Sequence, residues 1–409
     1  MTAGATAPEA LAHEFDLRSL SPAFLDNPYP TYHALRTHDP VRRMPDGSLF
    51  LTRYDDVVAV YRGTKLFSSD KKAEFAPKFG ADTPLYRHHT ASLVFTDPPR
   101  HTRVRRLLTG ALSQRALADT EPALIALVDG LLDRAAALGR FDLIGDYAAL
   151  VPVEVVGNLL GIPPDRRAPL RDWSRAILGA LEPVLTPAQQ QCGTEALLAF
   201  RPFVQEIIEE RRRHPGDPWR DALTRLIQGE GVDRLTEDEL IENCIFLVNA
   251  GYDTTAGFIG NALATLLDWP EQRARLLADH SLIRMGLEEF LRFESSSQLG
   301  NRISTAAGAI GGVAFGPGQK VTLCIGAANR DPTAFENPDR LDLGRWPNRH
   351  MAFGYGAHIC AGLSVARLEG RVAIGRFVER FSRYRADGPA VRSLRARYRG
   401  YLSVPVAVE

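Results

Sequence analysis

Phe353-Gly354-Tyr355-Gly356-Ala357-His358-Ile359-Cys360-Ala361-Gly362 is the stretch on which the reading of this chain turns. It offers one cysteine in a loop dense in glycine, and an apolar, helix-compatible run follows in Leu363, Val365, Ala366 and Leu368. A thiolate just before a helix N-terminus gains from the helix dipole and from unpaired backbone N–H groups. Gly354, Gly356 and Gly362 allow a close approach that residues with a Cβ resist. The expectation is a thiolate ligand to a bulky, flat cofactor. An isolated loop cysteine is usually a small buried apolar group, but the surrounding glycines, Phe353 and His358 outweigh that reading. Zinc is the other alternative. His358 and Cys360 supply two ligands where a structural zinc needs four, and Cys192, Cys244 and Cys324 stand singly.

Position by position, at Phe353, Gly354, Gly356, His358, Cys360 and Gly362, the loop resembles the cysteine loop of the cytochrome P450 family, the haem-thiolate monooxygenases. In such enzymes the axial thiolate pushes electron density onto the iron and favours O–O cleavage. The resemblance implies haem b (iron protoporphyrin IX) as cofactor, O2 as co-substrate and Cys360 as the metal ligand, with Phe353, Gly354, His358 and Gly362 around the haem. It also implies a mainly α fold with a small β region in one large domain over residues 1–409. Residues 28–409 are family-like, and 1–27 form an N-terminal tail.

Leu247-Val248-Asn249-Ala250-Gly251-Tyr252-Asp253-Thr254-Thr255 lies within a long helical pattern. Gly251 weakens a helix, and Thr254 can bond the carbonyl one turn earlier. A local opening is expected there, against the alternative of an ordinary glycine-containing helix with an exposed acid. The run is similar to the family's oxygen-binding helix. By that resemblance Asp253 and Thr254 deliver protons and Ala250 meets the haem.

Glu289-Phe290-Leu291-Arg292 sets Glu and Arg three apart on one helix face, ordinarily a weak surface pair. Here it resembles the family's Glu-x-x-Arg signature, which implies a buried pair joined by Arg345 behind the cysteine loop. His101 and Arg105 share a face of the basic stretch after Pro98-Pro99. The resemblance makes them, with Arg302 and His358, partners of the haem propionates, which need charge-assisted hydrogen bonds on leaving water.

Lys+Arg and Asp+Glu both number 49, a balance that argues against nucleic-acid binding. Four unpaired cysteines suit a reducing cytoplasm. No apolar run reaches the ~20 residues a membrane span needs, and residues 1–25 lack a signal-peptide pattern. Helices are expected at Pro28–Arg36, Asp55–Tyr61, Val104–Leu112, Ala123–Ala137, Leu150–Leu160, Arg166–Leu181, Gly193–His214, Asp221–Ile227, Glu237–Leu267, Trp269–Leu277 and Ile283–Phe293. Val41–Thr52 reads as a hairpin turning at Asp46-Gly47. Lys65–Ser92 reads as a long loop or short helices, and Lys320–Ile325 and Tyr401–Val408 as extended.

These readings combine into a cytoplasmic, monomeric haem monooxygenase. It inserts one atom of O2 into a small, largely apolar organic substrate, by hydroxylation or oxidative demethylation. Electrons come from NAD(P)H indirectly, through an acidic ferredoxin and its reductase. A peroxide-using haem-thiolate enzyme and a non-catalytic haem- or ligand-binding protein are the rivals. Val94, Leu247, Ala250, Leu299, Asn301 and Tyr401 are the expected substrate-pocket residues. Arg103, Arg106, Arg349 and Arg367 are the expected ferredoxin contacts. Arg87, His88 and His89 are read as solvent-exposed. Ser296 departs from the family, where proline is frequent.

Overall fold

The protein was analysed as a computed structural model that describes residues 7–112, 120–218, 221–229 and 234–408. Its organising element is the helix Glu237–Asp268, 32 residues long, or about 48 Å at 1.5 Å per residue. Its start is fixed by a reciprocal cap. The Thr236 side chain accepts from the Glu239 N–H, and the Glu239 carboxylate accepts from the Thr236 N–H. Acidic residues at 237, 238 and 239 complement the positive end of the dipole. Leu240, Ile245, Phe258, Ile259 and Leu263 are buried on different faces, because helices pack on this one from several sides.

The expected opening at Gly251 is absent, and the helix runs through it unbroken. A Cβ on Gly251 would stand 2.7 Å from Val156 Cγ2. The glycine therefore lets the helix Leu150–Leu159 pack closely rather than loosening its own.

Leu363–Arg380, Ile283–Phe293 and Thr120–Leu138 share an apolar core with the long helix, built on Phe258, Leu287, Phe290, Val372 and Phe377. A second core joins Pro187–Arg213, Leu170–Gly179 and the opposite flank of the long helix through Phe200, Ile208, Ile177 and Ile241.

Most helix expectations hold within a turn; Ile283–Phe293 agrees at both ends. Pro187–Arg213 begins six residues earlier than Gly193, where Thr186 and Gln189 form a second reciprocal cap. Arg100–Ala111 starts directly after Pro99, its N-cap residue. The 65–92 stretch resolves into the helices Lys72–Phe79 and Pro84–Ala91. The tail is a correction. From Pro8 onward it is folded, and Ala12, Phe15, Leu17 and Phe24 enter a core with Tyr29, Tyr32 and Phe50.

A five-stranded sheet runs in the order Val41–Arg43, Leu49–Leu51, Lys320–Cys324, Leu299–Ser304, Phe67–Ser68. Leu49–Leu51 and Lys320–Cys324 are parallel, and the other neighbours are antiparallel. Asn301 lies opposite Thr322 and Arg302 opposite Val321, so these neighbours project to opposite faces. The C-terminal run is two strands. Tyr401–Ser403 pairs with Val391–Arg392, and Pro405–Ala407 with Arg140–Asp142 and Arg385–Ala386. Among the described residues no helix is long and apolar enough to cross a membrane.

Candidate active site

Gly354 and Gly356 both adopt left-handed φ, +69° and +71°, and lay the cysteine loop on the helix Tyr54–Arg62. A Cβ on Gly356 would stand 2.9 Å from the Tyr61 carbonyl oxygen. The Cys360 N–H donates to the Phe353 carbonyl at 2.8 Å. Gly362 caps the helix Leu363–Arg380 that follows. Burial pushes the Cys360 thiol up, opposed by the Gly362 N–H, Arg105 and Arg367. The helix terminus expected to favour the thiolate is thus outweighed by desolvation. A metal ligated by Cys360 would supply the missing charge, since metal ligation displaces the thiol proton.

Beside the loop, His101 and His358 stack with ring centroids 3.9 Å apart. His101 Nε2 is buried without a hydrogen-bond partner. Burial, then Arg302, His101 and Arg105, hold His358 down to about 3. Burial also lowers Arg105 and Arg302. Arg302 donates to the neighbouring Asn301 carbonyl at 2.8 Å and lies 5.2 Å from the Tyr61 ring centre. Among the described residues no carboxylate pairs with Arg105, Arg302, His101 or His358. The nearby Asp97 is engaged by Ser68 and Ser69. Lys71 is a further cation nearby that no sequence motif marks. It is buried, its Nζ lacks a hydrogen bond, and Glu74 is 3.3 Å away. Desolvation, with Arg302 and Arg397 nearby, lowers it to about 8. A half-buried cysteine beside Arg105, Arg302, His101 and His358, none paired with a carboxylate among the described residues, fits a haem with two propionates.

Behind the loop, Glu289 and Arg292 are fully buried, with two hydrogen bonds of 2.8 Å between them. Arg345 Nε reaches the same carboxylate at 3.1 Å, as does Asn348 Nδ2. Arg292 also donates to the Asn329 carbonyl at 2.8 Å. The Asn329 side chain accepts from Met351 N–H at 2.7 Å, and the Met351 carbonyl accepts from Gly354 N–H at 2.8 Å. A continuous chain of hydrogen bonds therefore links the buried pair to the cysteine loop.

On the long helix, Thr254 Oγ1 donates to the Ala250 carbonyl at 2.6 Å. Asp253 is bound by Arg395 at 2.6 Å, a partner from the C-terminal loop that no local pattern announced. His88 and His89 are buried, contrary to expectation, while Arg87 is exposed. The helix Pro84–Ala91 turns both rings inward. His88 Nδ1 lies 2.8 Å from Glu242, and His89 sits among Phe75, Phe79 and Phe95.

The expected pocket residues divide. Leu247 packs at the junction of the two large cores, one turn from Ala250 and about two from Thr254. Leu299 is buried in the core with the N-terminal helices, and Asn301 Nδ2 contacts Glu74 at 3.3 Å. Val94 is exposed. Tyr401 lies under Arg392, 3.7 Å from the guanidinium carbon, and lines a cavity with Asp253. Of the expected docking residues, Arg103 is tied to Glu239, and Arg367 to Glu288 by two bonds of 2.7 Å. Arg106 and Arg349 are exposed.

The model of the cytochrome P450 family matches residues 178–389. A vitamin D(3) 25-hydroxylase of Pseudonocardia autotrophica is 37% identical over 360 residues, 87% of each chain. The cytochrome P450 monooxygenase PikC of Streptomyces venezuelae is 34% identical, over 89% of this chain and 86% of its own. Among solved structures, P450BioI in complex with a hexadecenoic-acid-ligated acyl carrier protein superposes with a TM-score of 0.89 at 31% identity, covering 95% of this chain and all of that one. With the fold, the cysteine loop and these relatives in agreement, the chain belongs to the cytochrome P450 family and is a cytochrome P450 monooxygenase.

Proposed function

We propose that this enzyme hydroxylates or oxidatively demethylates a small, largely apolar organic molecule, with haem b ligated by Cys360. The observation that carries the reading is the conjunction of the half-buried Cys360 with Arg105, Arg302, His101 and His358, cations and ring nitrogens that have no carboxylate partner among the described residues. When bound, the haem supplies dioxygen activation. The protein's part is to hold it and to manage protons. Arg105, Arg302 and the two histidines receive its propionates, and Lys71 adds positive charge at their edge. Phe353, Gly354 and Gly362 shape the loop around the sulfur. The Glu289–Arg292–Arg345 cluster fixes that loop through Asn329 and Met351. Asp253 and Thr254 move protons toward the oxygen site, the hydroxyl by turning from the Ala250 carbonyl to a water-linked path.

Leu247, Ala250, Val94, Leu299, Asn301 and Tyr401 are the proposed substrate contacts. Electrons come from NAD(P)H through a ferredoxin reductase and an acidic ferredoxin that approaches the cysteine side. A monomer in the cytoplasm completes the reading. The carbon monoxide spectrum of the reduced, haem-loaded protein tests it. The red-shifted thiolate band is expected from the wild type and is lost in Cys360→Ala. Retention of the band in that variant overturns the axial assignment. NAD(P)H-driven turnover that requires ferredoxin separates this reading from peroxide use.

A further inference from the structure

A cavity away from the cysteine loop lies between the helix Leu170–Gly179, the long helix and the C-terminal segment 393–402. Its lining includes Arg171, Arg175, Arg395, Tyr252 and Tyr398, with Asp253 as its one carboxylate. Arg399 also borders it but is bound to Glu294. Arg171 and Arg175 are four apart on one helix and make no hydrogen bond or ion pair among the described residues. Both act electrostatically on the buried Tyr252 hydroxyl, which burial pushes up to about 12. They therefore converge on the cavity rather than on solvent alone. Arg395 spends Nη1 on Asp253, while its Nε and Nη2 are buried and make no hydrogen bond. The nearest other carboxylate oxygen, Glu182 Oε1, is 3.6 Å from Nε and accepts from the Arg397 N–H at 3.3 Å, while Glu182 Oε2 accepts from the Ala396 N–H at 2.8 Å.

Buried guanidinium N–H groups without acceptors are costly. Arg395 is answered by Asp253 and, at 3.6 Å, by Glu182, so the positive charge left to be answered is that of Arg171 and Arg175. Planar guanidinium groups match the geometry of a carboxylate. The cavity encloses about 50 Å³. One water needs about 10–15 Å³ on that measure, so the space holds a few waters or one compact oxyanion. A drug-sized molecule needs roughly 300–1,000 Å³.

We propose that this cavity is a carboxylate-binding site, in which Arg171, Arg175 and the open edge of Arg395 grip one oxyanion beside Asp253. The carboxylate is either a free small acid or the acidic end of a longer molecule. Binding there gives Arg395 a second acceptor and so loosens its hold on Asp253. The site itself does not depend on the haem chemistry; its effect on proton delivery rests on the role proposed for Asp253.

Saturation-transfer NMR on the haem-loaded full chain tests the site, with acetate and octanoate as probes at constant ionic strength. Saturable binding is expected in the wild type and at least tenfold weaker binding in Arg171→Gln/Arg175→Gln. Those two side chains hold no other part of the fold, so the variant should keep its thermal midpoint. Acetate and octanoate binding equally well supports a free-acid site; octanoate binding at least tenfold tighter supports the acidic end of a longer ligand. The absence of saturable binding for both probes, or binding unchanged in the double variant, overturns the proposal. The carbon monoxide band of the same samples reports separately on the haem-thiolate reading.

Discussion

Asp253 and Thr254 are neighbours in sequence with different ties in the fold. Thr254 bonds its own helix at Ala250, and Asp253 is held across the molecule by Arg395. Thr254→Ala should keep haem content and substrate affinity but divert electrons to hydrogen peroxide, lowering product formed per NAD(P)H by severalfold. Unchanged coupling would remove Thr254 from proton delivery. Glu369 is a second residue with chemistry set by its surroundings. Burial pushes its carboxyl from 4.5 to about 8, with only a weak opposing bond from Thr255, and one carboxyl oxygen has no partner. The native state therefore binds a proton that the unfolded chain releases earlier. Stability from this group is complete below about pH 4.5 and is lost as pH rises through about 8. Glu369→Gln should raise the thermal midpoint at pH 9 and change it little at pH 5. A gain that is the same at both pH values would mean the carboxyl is not protonated in the fold.

At the scale of elements, Ile283–Phe293 matters for the two side chains it aims at the segment 329–351. Glu289→Ala would leave Arg292 and Arg345 without their shared acceptor, and a broken buried pair costs about 3–5 kcal/mol. The expected outcome is protein with little bound haem, read from the ratio of Soret to protein absorbance. Normal haem content would show that the chain through Asn329 and Met351 is dispensable. The pair, its burial and its third member Arg345 were legible through the family resemblance, whereas the spacing alone did not carry the burial. The same spacing occurs on exposed helix faces; here Asn329, Pro338, Asp342, Arg345 and Asn348, brought in from distant sequence, bond the pair and enclose it. Gly251 teaches the reverse lesson. A helix-weakening residue at a family motif suggested an opening, but the approach of Val156 gives the glycine a packing role.

For the whole molecule, the formal charge is balanced, so attraction of a partner depends on where charges lie. Of the four expected docking residues Arg106 and Arg349 are the exposed ones, and that exposure makes them the better candidates for ferredoxin contact. Exposed charges steer association and are screened over roughly 8–10 Å. Arg106→Glu with Arg349→Glu should slow reduction by ferredoxin at low salt about tenfold and flatten its salt dependence, while dithionite reduction stays unchanged in stopped-flow traces. Equal ferredoxin rates would move the docking surface elsewhere. The sequence by itself determined the family, the helical character and the cysteine loop, because each is written in local spacing: glycines around one cysteine, apolar residues at helical period, caps and prolines at helix starts. Only the tertiary structure decided that the tail from Pro8 belongs to the core, that His88 and His89 are buried, that Lys71 joins the cationic edge, and that Arg395 holds Asp253. These depend on contacts between residues far apart in sequence. Burial and pairing of a charge are set by what the rest of the chain brings to it, and no local pattern records that.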